Sequence, residues 1–210
     1  MKRLAVLVDG EFFSLTLRRT LGLGARPTAE QTHRNALVLC APDEEVLRVY
    51  YYDSQPFEGY DTHPMTGQQI DYRNTAPAVA RRRFLSELGQ MNLVALRCGQ
   101  TKPRGWSFTD AYLRRIKAGG VVPPPTPADY EQRFEQKGVD MRIGIDVATL
   151  ALNRYVDRIA VISNDTDLIP AFKVARRHGV QVAITQIGNV KPHRELIEDS
   201  DFLRLLQPTA

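Results

Sequence analysis

Short apolar runs rich in β-branched and aromatic residues alternate along this chain with segments whose apolar positions recur every three to four residues. The first kind predicts strands at 3–8, 46–52, 92–98, 158–163 and 180–185. The second predicts helices at 11–20, 29–40, 75–90, 139–154 and 168–178, with a short one at 192–199. That order is βαβ-like. Because such crossovers are right-handed, it predicts an α/β fold: a mainly parallel central sheet with helices on both faces.

Two stretches break the rhythm. Residues 53–74, rich in Gly, Pro, Asp and Thr, read as a long surface loop. Residues 100–130 hold Trp106 and Pro123-Pro124-Pro125 and read as an irregular insertion, with 130–136 as the return strand of an extra hairpin. Two roles stay open for the insertion: a lid or partner surface, serving a protein partner or a homo-oligomer, and a tolerated insertion with no activity.

Composition narrows the class. A chain of 210 residues, 43% apolar and without repeats, is expected to bury one core and form a single domain over 1–210. No apolar run approaches the ~18 residues of a membrane span. Met-Lys-Arg precedes only Leu4–Val8 before an aspartate, too short for a signal peptide, so a cytoplasmic protein with no membrane partner is expected. Cys40 and Cys98 lie far apart without metal-ligand spacing and are expected to be reduced thiols. A net charge of +4 permits a polyanionic partner without demanding one.

The chemistry is carried by acids at the ends of apolar runs. Leu4–Val8 runs into Asp9-Gly10, Lys137-Gly138-Val139-Asp140 opens an apolar helix, and a later apolar run ends in Ser163-Asn164-Asp165-Thr166-Asp167. In an open parallel sheet, side chains at the carboxyl ends of strands face one crevice, where Asp9 and Asp165 would meet. Asp140 falls in a first helical turn, and Gly144, one turn on, is read as leaving room there for a metal-bound group. Two carboxylates about 5 Å apart in a medium of dielectric about 20 repel by roughly 3 kcal/mol, which a cation offsets. All-oxygen donors with no Cys or His cluster favour Mg²⁺ or Mn²⁺ over zinc.

These motifs, in this order, resemble the NYN domain, a branch of the PIN-like nuclease superfamily. The likeness extends through Tyr50-Tyr51-Tyr52-Asp53 and Arg142-Ile143-Gly144-Ile145-Asp146, nearly the whole chain. The resemblance implies a PIN-like, Rossmannoid three-layer sandwich, a Mg²⁺ or Mn²⁺ site and cleavage of RNA phosphodiester bonds. It makes Asp9, Asp140, Asp165 and Asp167 the catalytic and metal-binding acids, with Ser163 and Asn164 in support. One position departs: family members often carry an asparagine two residues after the glycine of the first motif, and Phe12 stands there, preceded by Glu11.

Several residues have a plainer reading beside the functional one. Asp167 either contacts metal or caps the helix beginning at Leu168. Asp146 lies four residues beyond Arg142, the spacing of a surface ion pair, and stands in the second rank of support. Lys137 either touches phosphate or is solvated. The cluster Lys173, Arg176, Arg177 either lines an RNA path or forms a solvated helix face, and Arg81-Arg82-Arg83 is read as solvated. No Ser, Cys and His grouping suggests a covalent nucleophile. The leading expectation is a metal-dependent ribonuclease. An RNA- or protein-binding scaffold with weak or no catalysis is the alternative, motivated by Phe12, and a phosphatase of small phosphoesters is the third.

Overall fold

A computed structural model describes residues 1–119 and 122–209. The elements in chain order are β1 (Lys2–Asp9), α1 (Gly10–Thr20), α2 (Ala29–Leu37), β2 (Glu44–Gln55), β3 (Tyr60–Thr62), β4 (Gln69–Asp71), α3 (Ala76–Gly89), β5 (Val94–Phe108), α4 (Asp110–Lys117), β6 (Tyr130–Lys137), α5 (Val139–Leu152), β7 (Arg158–Ile162), α6 (Ile169–Arg177), β8 (Gln181–Ile187), α7 (Arg194–Glu198) and β9 (Phe202–Leu206). The strands hydrogen-bond in the order β6-β5-β2-β1-β7-β8-β9, and β3-β4 form a separate hairpin. Strand β1 runs parallel to both β2 and β7, β7 parallel to β8, and β8 parallel to β9. The expected α/β fold with a mainly parallel sheet is therefore present.

Contacts divide the chain into two compact units. The first comprises Met1–Ser54, Arg83–Gly99 and Gly138–Ala210. Its centre is β1, which is apolar and buried on both faces, as a strand inside a helix-covered parallel sheet must be. Leu4, Val6 and Val8 join Phe13 and Leu17 of α1 and Leu85 and Leu88 of α3 on one face. The alternate residues Ala5 and Leu7 join Val139, Ile143 and Val147 of α5, Phe172 of α6 and Leu196 of α7 on the other. Helix, sheet and helix thus form three layers, and each side chain of that size contributes about 1.5–3 kcal/mol by leaving water.

The second unit comprises Gln55–Arg82 and Gln100–Lys137. The outer half of β5 pairs with β6 antiparallel, from Gln100↔Lys137 to Phe108↔Tyr130, so the anticipated return strand is present. The rest of the insertion is more regular than expected: β5 continues to Phe108, and α4, capped by the Thr109 hydroxyl, fills part of the span read as irregular. The span read as a loop at 53–74 contains the β3-β4 hairpin. This unit is held by rings. Phe57, Tyr72 and Phe134 pack with centroids 5.2–5.8 Å apart, and His63 lies 4.7 Å from Trp106. Such pairs add about 0.5–1.5 kcal/mol each beyond their buried area.

Candidate functional site

The parallel pairing of β1, β7 and β8 puts their carboxyl ends on one edge of the sheet in the first unit. Asp9 is the last residue of β1 and also the N-cap of α1, its Oδ1 accepting the Phe12 N–H at 3.1 Å. The exposed helix amide and the carboxylate satisfy each other, worth about 1 kcal/mol. The other oxygen of Asp9 accepts the Ser163 hydroxyl at 3.2 Å, just past the end of β7. Ser163 is fully buried, and its Oγ also accepts the Asp165 N–H at 3.2 Å. Asp165 in turn caps the 3-10 turn Thr166–Leu168, its Oδ1 accepting the Asp167 N–H at 2.9 Å. A continuous chain of hydrogen bonds therefore runs from Asp9 through Ser163 to the Asp165-Thr166-Asp167 segment.

Asp140 arrives from another direction. Gly138 precedes α5 with φ 76°, a left-handed conformation costly for other residues. Val139, Ile143, Val147 and Leu150 then bury one face of α5, which leaves Asp140 exposed in its first turn. Partial loss of hydration around its carboxylate raises the pKa of Asp140, and the Asp165 and Asp167 carboxylates raise it further. Burial likewise raises that of Asp9, with Asp140 and Glu11 adding to the rise and the Phe12 and Ser163 hydrogen bonds opposing it. Asp140 thus lies within electrostatic reach of Asp9 on one side and of Asp165 and Asp167 on the other. They do not form a ready-made cage: among the described residues, no three His, Cys, Asp or Glu side chains are grouped as a metal site.

The supporting residues fall into different places. Asn164 points its Oδ1 at the His193 N–H, 2.7 Å away, and so ties the segment after β8 to the β7 end. Asp146 does not pair with Arg142, whose guanidinium instead donates to the Gly138 carbonyl at 2.8 Å. Asp146 accepts from the Tyr52 hydroxyl at 2.9 Å and from Arg97 at 3.0 Å, because its position on α5 faces β2 and β5 rather than its own helix surface. A side-chain carbon at Gly144 would meet Ala171 Cβ of α6 at 3.8 Å, an ordinary van der Waals contact, so Gly144 lies against α6. Asp167 does not cap α6, whose N-cap position is Leu168 with no side-chain cap; Asp165 caps the 3-10 turn that precedes it.

Among the basic candidates, Lys173 pairs with Asp199 at 3.5 Å and Arg176 with Asp201 at 3.0 Å, while Arg177 is exposed. Lys137, in the second unit, pairs with Glu135 at 2.6 Å. Glu11 pairs with Arg26 at 3.1 Å. One acid was not foreseen. Asp53, fully buried near the end of β2, lies against Gly10, where a Cβ would come 2.7 Å from its Oδ2. Its signal in the sequence is the one that marked Asp9, a carboxylate directly after an apolar strand.

The family model described as the NYN domain matches residues 3–206. The chain belongs to the NYN family. NYN domains are PIN-like nucleases, and the helix-sheet-helix layering of the first unit is the arrangement such a fold requires. Two likenesses accompany the match. A protein of unknown function from Vibrio parahaemolyticus RIMD 2210633, VPA0982, superposes with a TM-score of 0.52 at 14% identity, over 98% of this NYN chain and 93% of that one, which shows shared fold alone. The uncharacterized protein MJ0482 of Methanocaldococcus jannaschii is 25% identical over 73 residues, 35% of this chain and 30% of its own length. The NYN chain thus matches less than a third of that relative.

Proposed function

We propose that this protein is a Mg²⁺- or Mn²⁺-dependent ribonuclease of the cytoplasm, acting through Asp9, Asp140, Asp165 and Asp167. The observation that carries the reading is the hydrogen-bond chain that joins Asp9 at the end of β1 through Ser163 to the Asp165-Thr166-Asp167 turn after β7, with Asp140 of α5 close enough for its charge to act on Asp9. Membership in a nuclease family supports it.

The donor set suits the cation. Hard carboxylate oxygens match Mg²⁺ and Mn²⁺, and Mg²⁺ is commonly held by one or two carboxylates while keeping several waters. The four aspartates would hold the ion, which supplies a polarised water and neutralises charge on the phosphodiester. The chain's own residues have separable tasks. Ser163 fixes the rotamer of Asp9 and the backbone at Asp165. Phe12 gives Asp9 its amide and packs its half-buried ring against the core, so no side-chain amide is offered to substrate at that position.

The test is hydrolysis of single-stranded and structured RNA in Mn²⁺, in Mg²⁺ and in chelator, beside Asp165→Asn. Cleavage abolished by chelator and by the substitution supports the reading, and cleavage indifferent to both refutes it. A second reading, an NYN scaffold that binds RNA or protein without cutting, draws on Phe12 and on the missing three-ligand group. Tight RNA binding without turnover in any of the metals favours it.

A further inference from the structure

We infer that the segment Lys191-Pro192-His193-Arg194, which follows β8, is the phosphate-binding edge of the site, gripping the backbone of the RNA strand. The inference rests on the ribonuclease reading above and concerns residues outside the acidic group.

Strand β8 is parallel to β7, so the segment leaves the sheet at the same edge as Asp165. It is a built feature rather than a loose loop. Ile187 and Val190 exchange two backbone hydrogen bonds, of 3.1 and 2.8 Å, around a left-handed Gly188, whose N–H reaches the Leu206 carbonyl at 2.8 Å. Pro192 is buried, and Leu196 is buried in the core beneath α5 and α6. Between those anchors the Asn164 side chain holds the His193 N–H, and Asn164 adjoins Asp165 in the chain. Lys191, His193 and Arg194 are all exposed. Arg194 pairs with Glu198 at 2.6 Å, yet its side chain is 90% exposed, so this pair is weak and readily exchanged for phosphate.

On the alternative surface of α6, Arg176 is more enclosed than Arg194 and pairs with Asp201 at 3.0 Å, while Lys173 reaches Asp199 only at 3.5 Å and Arg177 is exposed, so the comparison of the two surfaces falls to experiment. A strand of RNA approaching several carboxylates meets repulsion, and cations beside those acids supply the attraction that brings the phosphates in. Asn164 is the positioning residue that holds the two surfaces together.

The experiment measures binding of a labelled single-stranded 12-nucleotide RNA in chelator across a range of salt concentrations. It compares the intact chain with Lys191→Ala/Arg194→Ala and with Lys173→Ala/Arg176→Ala. Loss of two phosphate contacts lowers the slope of log affinity against log salt by roughly 1.4 and weakens binding by about tenfold at moderate salt. The same slope in the segment variant as in the intact chain, with a native melting profile, overturns the inference, and so does a larger loss in the α6 variant. If the intact chain cleaves RNA in Mn²⁺ while the slope is unchanged, only this inference falls. If it neither binds nor cleaves RNA, the ribonuclease reading falls with it.

Discussion

The hydroxyl of Tyr52 donates to Asp146 across 2.9 Å, joining the strand beside β1 to the helix that carries Asp140. Tyr52 lies opposite Asp9 in the β1-β2 register and is fully buried, and burial, with Asp146 beside it, pushes its phenol well above the usual range. Arg97 completes the arrangement, reaching Asp146 at 3.0 Å while its guanidinium sits 5.3 Å from the centre of the Tyr50 ring. This network ties α5, the helix that carries Asp140, to β2 and β5 beside the apolar contacts of Val139, Ile143 and Val147.

Removing the hydroxyl with Tyr52→Phe should cost about 1–2 kcal/mol, and Asp146→Ala more, since it strands both Tyr52 and Arg97. In urea unfolding, the double variant should lose less than the sum of the single losses, because the groups act as one network. Additive losses within about 0.3 kcal/mol would dissolve the network as a unit.

Ser163 is small, buried and bonded on both sides, which makes it the hinge between Asp9 and Asp165. Ser163→Ala removes one of the two hydrogen bonds on the Asp9 carboxylate and leaves the Asp165 amide without its acceptor. RNA cleavage in Mn²⁺ should fall by about 10–100-fold, the scale typical of residues that orient ligands rather than bind the ion themselves. The fold should survive, with a loss near 1 kcal/mol. Unchanged turnover would show that the hydrogen bonds from Ser163 do not position the acids.

Gly10 opens α1 at a point where two side chains press against the backbone. A methyl group there would stand 2.6 Å from the Tyr51 ring and 2.7 Å from Asp53 Oδ2, and the Tyr51 hydroxyl donates to the Gly10 carbonyl at 3.2 Å. Gly10→Ala should therefore destabilise by about 1–3 kcal/mol through overpacking. A thermal melt unchanged within a degree would mean that β2 yields freely at this point.

What the sequence made legible follows from where period and burial agree. Strand β1 could be read because an apolar run buried on both faces is interrupted by an acid. Helix α5 could be read because Val139, Ile143, Val147 and Leu150 recur at helical spacing. Strand β9 could not: Phe202-Leu203-Arg204-Leu205-Leu206 is short and leucine-rich, with three of its apolar side chains exposed, so neither alternation nor β-branching marks it. At the site, the acids were visible as strand ends. The partners of Asp146 were not, since Tyr52 and Arg97 lie far away in the chain and the helical spacing to Arg142 gave a competing local explanation. The tie from Asn164 to His193 was equally hidden, because a backbone N–H has no residue type to betray it.

The buried Glu44 should make the fold sensitive to acid. Its side chain is fully enclosed, and it accepts from Arg158 at 2.8 Å, from Arg204 at 2.9 Å and from the Ala41 amide at 2.8 Å. Burial alone would raise its pKa; the hydrogen bonds from Arg204, Ala41 and Arg158 override it and bring the group from 4.5 down to about 2. A carboxylate with a folded pKa below its unfolded one binds fewer protons in the native state. Its stabilisation is therefore fully present above pH 4.5 and is lost as the pH falls toward 2. A shift of that size corresponds to at most about 3 kcal/mol. Urea unfolding between pH 6 and pH 2.5 should show this loss in the intact chain. Glu44→Gln should be less stable by a similar amount at pH 6, because Arg158 and Arg204 lose their counter-charge, and should show a flatter profile below pH 4.5. Parallel profiles for the two chains would assign the acid sensitivity to other carboxylates.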